Sequence, residues 1–352
     1  MTCLGTLVLQ RHWWGNRCPC AVAPGYHIDD DFRFHDHLSR RLQRHVCRLG
    51  ADRSFEKARE DLVDLLGVPV SEESLRRVSE THGQRMARWQ PQDTRSSAAF
   101  AAAAGAVEFT VDAGKVNTRE EGWKDLKIAV LQKREAGEPA TAAQWDQQRL
   151  PKATARLAWG AIAASKHFRK SWRGWLRRVG IKQMEEVHVL ADGADWIWRS
   201  VDHVLTGCQQ TLDIYHALGH VSQAGQSLYG EGTDAADLFL ERGRQGLLTE
   251  GWTGLCRVVA EEYAREDTAE RRGALEKMVG YFAKHTTRLS YAARLQSGQA
   301  IGSGVVEGQA KTLGLRLKAR GARWKKHNVK AMTALVCVRN SDQWETYWSL
   351  AA

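Results

Sequence analysis

The stretch from Glu186 to Leu218, EVHVLADGADWIWRSVDHVLTGCQQTLDIYHAL, constrains this chain more than any other. Val187, Val189 and Leu190 are aliphatic and too few for a helix, so they predict a buried strand. That strand ends at Asp192-Gly193, where a carboxylate with glycine behind it is well placed to face a ligand. Trp196, Ile197, Val201 and Val204 then recur at helical spacing between Ala194 and Leu205. Gln210 to Tyr215 reads as a second short strand, carrying Asp213 and running into His216. Two carboxylates and a histidine at strand ends are the makings of a metal site, although Asp192 is equally placed to cap the helix after it.

A chain of 352 residues has room for two domains, or for one domain with a large insertion. Lys and Arg outnumber Asp and Glu by 51 to 41, a net +10 that suits a polyanionic partner without requiring one. Seven cysteines, odd in number and mostly far apart, fit a reduced, cytoplasmic protein better than a disulfide framework. Neither a signal peptide nor a membrane-length apolar run is evident, so no membrane partner is expected.

Residues 1–30 lack periodicity and read as an irregular or truncated start. Cys18 and Cys20 miss the spacing of a zinc site. Residues 31–95 read as helical, with Phe34, Leu38, Leu42, Val46 and Leu49 along one face. A break at 67–70 is followed by Ser71, a good N-cap for a helix through Leu75, Val78 and His82. Helix, tight turn and a capped helix bearing Arg76 and Arg77 outline a DNA-binding helix-turn-helix, or else a plain helical hairpin. Residues 90–105 read as a linker.

Val107 to Val111 then forms a strand delivering Asp112, and Asp125 to Leu131 a second, hairpin-paired strand after a polar turn at 118–122. Ala153 to Val179 reads as one helical stretch with a basic end. These elements predict an α/β layer with carboxylates at strand ends. Residues 221–295 are helical in pattern throughout and read as an all-α insertion. The turn at Gly302 and Gly304 precedes a helix carrying Glu307. The final part, 296–346, includes a run with no acid among Lys311, Arg316, Lys318, Arg320, Arg323, Lys325 and Lys326, with Trp324 interleaved. Such a run predicts contacts to a phosphate backbone and bases.

Three acids on separate elements, Asp112, Asp192 and Glu307, can hold two divalent ions, and two such ions support in-line phosphoryl displacement. Magnesium suits this set because water and substrate phosphate complete its shell; manganese is the alternative.

The motifs LADGADWIW, LDIYHAL and IGSGVVEGQAK, followed by LRLKARGARW, resemble the DDE transposases of bacterial insertion sequences, in particular the ISKra group, over roughly 107–344. The resemblance implies a ribonuclease-H-like mixed sheet, here 105–220 plus 296–346, interrupted by an all-α insertion and preceded by a small all-α DNA-binding domain. It implies Asp112, Asp192 and Glu307 as the catalytic, metal-holding acids. Asp213 and His216, similar to the (Cys/Asp)-x-x-His motif of mutator-like transposases, take a supporting role. The first motif reads Asp112-Ala113-Gly114 where Asp-Gly is more usual. The activity implied is metal-dependent cleavage at transposon ends and strand transfer to target DNA, by a homodimer or larger assembly. The rivals are a two-metal nuclease that does not join strands, and an inactive DNA-binding derivative.

Overall fold

The computed structural model describes residues 1–3, 5–6, 8, 37–265, 268–319 and 322–350. Cys18, Cys20, Phe34 and Arg320 lie outside the described residues.

Three helices come first: α1 (Arg40–Asp52), α2 (Phe55–Leu66) and α3 (Glu72–Trp89). Each starts at a serine whose hydroxyl accepts a backbone N–H: Ser39 from Leu42, Ser54 from Lys57 and Ser71 from Ser74. Gly67 closes α2 in the left-handed conformation, at φ 62°. The segment expected to be a linker is instead a helix, α4 (Thr94–Ala102). Asp93 caps it through the N–H groups of Arg95 and Ser96, and Phe100 anchors it in the core. An alanine-rich run is a good helix former once capped, which a reading for linker composition overlooks.

The sheet follows: β1 (Ala106–Thr118), β2 (Gly122–Arg134), β3 (Ala155–Ile162), then α5 (Ser165–Arg178), β4 (Val187–Ala191), α6 (Asp195–Val204) and β5 (Gln209–Leu212). The single helix expected over 153–179 is thus a strand and a helix. Leu157, Ala158 and Trp159 are all buried, so β3 is covered on both faces and shows no alternation to read. The second short strand also ends earlier than expected, because Asp213 caps a helix that begins at Ile214.

The strand order is β3-β2-β1-β4-β5, with β1, β2 and β3 antiparallel and β4 and β5 parallel to β1. An antiparallel three-strand meander extended by two parallel strands is the ribonuclease-H-like arrangement, and the chain has that mixed α/β fold. Five helices separate β5 from the next element on the sheet: α7 (Ile214–Tyr229), α8 (Asp234–Glu250), α9 (Trp252–Tyr263), α10 (Ala269–Phe282) and α11 (Tyr291–Gln296). The chain then returns through α12 (Gly304–Leu317), α13 (Lys326–Arg339) and α14 (Gln343–Leu350).

The two sheet faces bury different sets. Val107, Phe109 and Val111 of β1, with Val189 of β4, pack against α5, α6 and the helices after β5. Val116, Leu126, Ile128 and Val130 on the opposite face pack with α12 and α13, and the same core continues into α1, α2 and α3. The N-terminal helices therefore share their core with the sheet. Gly83 of α3 lies so near α13 that an added Cβ would sit 2.3 Å from the Ala331 carbonyl oxygen. Among the described residues, no helix is long and apolar enough to cross a membrane.

Candidate metal centre and nucleic-acid interface

The last paired rung of parallel β1 and β4 is Val111 with Ala191. Asp112 and Asp192 take the next step on neighbouring strands, about 5 Å apart along the backbone. Because side chains alternate along β1, the Asp112 carboxylate points away from the face that buries Val111. That other side is where α12 lies, with Val306, Leu313 and Leu317 in the core. Strand β1 does not end at Val111 as the sequence suggests but runs on to Thr118, so Asp112 lies within it. Asp112 shares the α12 side of the sheet, with Asp192 near enough for its charge to act on it.

Asp192 is held at its turn by two bonds. Its Oδ1 accepts the Ala194 N–H at 3.0 Å, and its carbonyl accepts the Trp198 indole N–H at 2.7 Å. These bonds shape the turn before α6, whose N-cap is Ala194, so Asp192 does not itself cap that helix. Asp112 Oδ1 accepts the N–H of Ala113 at 2.6 Å. Burial raises the Asp112 carboxyl above its ordinary pKa and the neighbouring charge of Asp192 adds to the rise, while the Ala113 N–H, His216 and Lys318 act against it. A pair of like charges, partly desolvated, is a place where a cation is stabilised.

Asp213 is fully buried and acts as a clamp. Its Oδ1 accepts the His216 N–H at 2.8 Å and so caps α7, while its Oδ2 accepts the Ser303 N–H at 2.5 Å. The Ser303 hydroxyl lies 2.9 Å from that same oxygen and 3.1 Å from Glu307 Oε1, so one proton serves two carboxylates. His216 Nε2 stands 3.9 Å from Glu307 Oε1, both side chains about half exposed, at 49% and 45%. Among the described residues, the donor atoms of Asp213, His216 and Glu307 form the group that lies within 4.8 Å of one another. Asp112, Asp192 and Glu307 do not close to that distance as a trio. Ser303 ties the start of α12 to Asp213, and Glu307 stands beside His216, while Asp192 is near enough for its charge to act on Asp112.

Four residues that the sequence reading did not place at the site belong to its surroundings. Ser303 is the bridge just described. From α10, the Tyr281 ring stacks on His220 at 3.6 Å, and its buried hydroxyl has no hydrogen-bond partner among the described residues. Burial raises that hydroxyl's pKa, with Asp192 and Asp213 adding to the effect. Exposed Tyr215, beside His216, packs near Trp145 with ring centroids 5.6 Å apart. Their one sequence signal is that Ser303 and Tyr215 fall within the quoted motifs; the contacts of Tyr281 and Trp145 are long-range in sequence.

The expected DNA-contacting residues divide. Lys311, Lys318, Arg323 and Lys325 are exposed. Lys318 Nζ lies 4.0 Å from where a Cβ on Gly114 would be, and its charge acts on Asp112, so it stands at the site itself. Arg316 corrects the expectation: it is 4% exposed, its Nε donates to the Gly50 carbonyl at 2.5 Å, and its guanidinium lies 4.2 Å from the Phe55 ring centroid. Trp324 packs against Arg316 and donates its indole N–H to the Leu317 carbonyl, so its place is also structural. Lys326 pairs with Glu121 at 2.6 Å. Arg76 is held by Glu73 and Glu80, and Glu80 in turn accepts from Asn328 of α13. Arg77, on the same helix, is also engaged.

No protein-family model matches the chain, and no curated protein matches it. Among solved structures it is similar to the Drosophila P element transposase strand transfer complex, at 10% identity and a TM-score of 0.30, covering 86% of this chain and 79% of that chain. Likeness at that level carries no argument about activity, and the fold rests on strand order and register.

Proposed function

We propose that the chain is a DDE-type DNA transposase of the insertion-sequence kind, which cleaves transposon ends and joins them to target DNA. The observation that carries this reading is the placement of Asp112 and Asp192 just past the last paired rung of β1 and β4, on the part of the sheet where Lys318, at the end of the helix bearing Glu307, also acts on Asp112. Oxygen donors of this type fit Mg²⁺ or Mn²⁺, and a bound cation would offset the burial of the Asp112 carboxylate, and with it the lesser effect of the Asp192 charge. Asp112 and Asp192 would hold one ion and Glu307 would help hold a second, with Asp213 setting the start of α12. Bound there, such ions stabilise the attacking and leaving oxygens of a phosphoryl displacement.

The chain's own groups complete the reading. Lys318 sits beside Asp112 and attracts a DNA phosphate to the acids. His216, next to Glu307, donates a hydrogen bond to a phosphate oxygen or the scissile strand. The net charge of +10 supplies a salt-dependent affinity for DNA. Assembly on two transposon ends calls for a homodimer or larger complex, with α2 and α3 as a further DNA contact through Arg77.

The test is a plasmid carrying the coding region with its own flanking DNA, incubated with the protein and Mg²⁺. Strand-specific cuts at the element's ends followed by joined products support the reading, provided Asp192→Asn abolishes both. Cutting without joining of a pre-cleaved 3′-OH end identifies a nuclease instead. Binding with neither reaction identifies an inactive DNA-binding derivative.

A further inference from the structure

A cleft of about 900 Å³ opens beside α12, on the flank of that helix away from His216. Its walls come from the end of β2, the loop that leads into β3, the start of β3 and the end of α13. Four cationic side chains line it, Arg134, Lys152, Arg156 and Arg339, against a single acid, Asp342.

Those cations are incompletely neutralised. Arg134 reaches Glu108 at 3.4 Å and Arg339 reaches Asp52 at 3.5 Å, ion pairs longer than a charge-assisted hydrogen bond, and Arg134 also donates to the neutral Pro151 carbonyl at 2.8 Å. Arg156 donates to the neutral Gln132 amide at 3.1 Å. Asp342 spends one oxygen on the backbone N–H of Arg156, at 2.7 Å. Burial lowers the Arg156 pKa and the like charge of Arg134 lowers it further, while Asp342 and Glu108 act against the fall without cancelling it. Lys152 is exposed, and no ion pair holds it among the described residues.

The floor is the glycine side of α12. A Cβ built on Gly304 or Gly308 would meet nothing within 4 Å, so the helix surface there is open and bare. A ligand's backbone can approach the helix closely at these positions, one turn apart. Glu307 stands between them in sequence.

We propose that this cleft is a track for the phosphodiester backbone of the DNA strand running to or from Glu307, held by Lys152, Arg134, Arg156 and Arg339 and seated on Gly304 and Gly308. It rests on the DNA reading above but not on the chemistry. A phosphate every few ångströms answers a row of under-neutralised cations, and the shape is an open trench, as a polymer requires.

The experiment measures fluorescence anisotropy of labelled random-sequence oligonucleotides, single-stranded and duplex, in EDTA over a salt series. Lys152→Glu should weaken binding to at least one form by about tenfold and flatten the salt slope by about one unit. Gly308→Leu, which fills the floor with a good helix former, should also weaken binding about tenfold while keeping the wild-type melting temperature. EDTA withholds the divalent ions, so binding is read apart from the proposed reaction. Wild-type affinity in both Lys152→Glu and Gly308→Leu overturns the proposal. So does a Gly308→Leu protein whose oligomeric state changes while its DNA affinity does not, since the cleft would then be a protein-binding face.

Discussion

Gly193, the residue after Asp192, has a steric role that can be measured apart from any chemistry. A Cβ added there would lie 2.2 Å from Tyr281 Oη, 2.5 Å from Cε2 and 2.7 Å from Cζ. Ordinary contact starts near 3.4 Å, so the ring would have to move by about an ångström. It has little room, with His220 stacked at 3.6 Å and Phe282 and His285 each 5.1 Å away between centroids. Overpacking of this kind costs about 1–3 kcal/mol, and Gly193→Ala should fall near 2. Tyr281→Ala removes a half-buried ring and should cost about 2–3 kcal/mol on its own. In the double variant the clash has no second party, so its stability should match that of Tyr281→Ala alone. Equilibrium urea unfolding of the four proteins gives the coupling, expected near 2 kcal/mol in favour of the double variant. Additivity to within about 0.5 kcal/mol would refute the contact, and with it the placement of α10 against the Asp192 turn.

Three further outcomes follow from the same geometry. Arg316→Ala should lose about 2–4 kcal/mol of stability because the Gly50 carbonyl and the Phe55 ring lose their partner, while the protein still folded keeps its DNA affinity within about twofold. A large loss of affinity without loss of stability would restore Arg316 as a DNA contact. Gly83→Ala drives a Cβ to 2.3 Å from a backbone oxygen of α13, where no side chain can yield, so its melting temperature should drop by more than that of Gly308→Ala, which meets open space. Burial, with Arg294 adding, holds the His188 pKa at about 3; burial, with Arg288 adding, holds that of His285 at about 4. Both stay neutral in the fold but take protons when unfolded below about pH 6.5, so stability is full above that pH and falls as pH drops toward 4. The slope should reach about 1.4 kcal/mol per pH unit per histidine, and His188→Gln should remove one proton's share in urea titrations between pH 6.5 and 4.5. An unchanged slope would show that His188 is not buried neutral.

The elements that carry the candidate acids were legible in part from local pattern: Asp192 follows a short aliphatic strand and Glu307 a glycine turn. Asp112 was expected at the end of a strand and lies inside one, because β1 continues through Ala113, Gly114 and Lys115 to Thr118 in its hairpin with β2. What local pattern does not carry is burial from two sides or contacts made across the chain. Strand β3 hides because Leu157, Ala158 and Trp159 are all inside, and spacing alone made Leu157 and Ala161 look helical. Arg316 and Trp324 sit in a basic run that reads as a nucleic-acid surface, yet one is buried on Phe55 and the other stacks on it. Asp213 looked like a partner of Asp192 and is a buried clamp, because its hydrogen bonds go to Ser303, 90 residues away. Tyr281 reaches the site from a helix whose sequence shows only an apolar face.

The central claim is that Asp112, Asp192 and Glu307 hold divalent ions. Its most direct measurement is a Mn²⁺ titration followed by electron paramagnetic resonance, in which bound ion is lost from the free signal. The account predicts saturable binding to the wild-type protein that disappears in a triple Asp112→Asn, Asp192→Asn, Glu307→Gln variant of unchanged fold. Equal Mn²⁺ binding by the two proteins would contradict it.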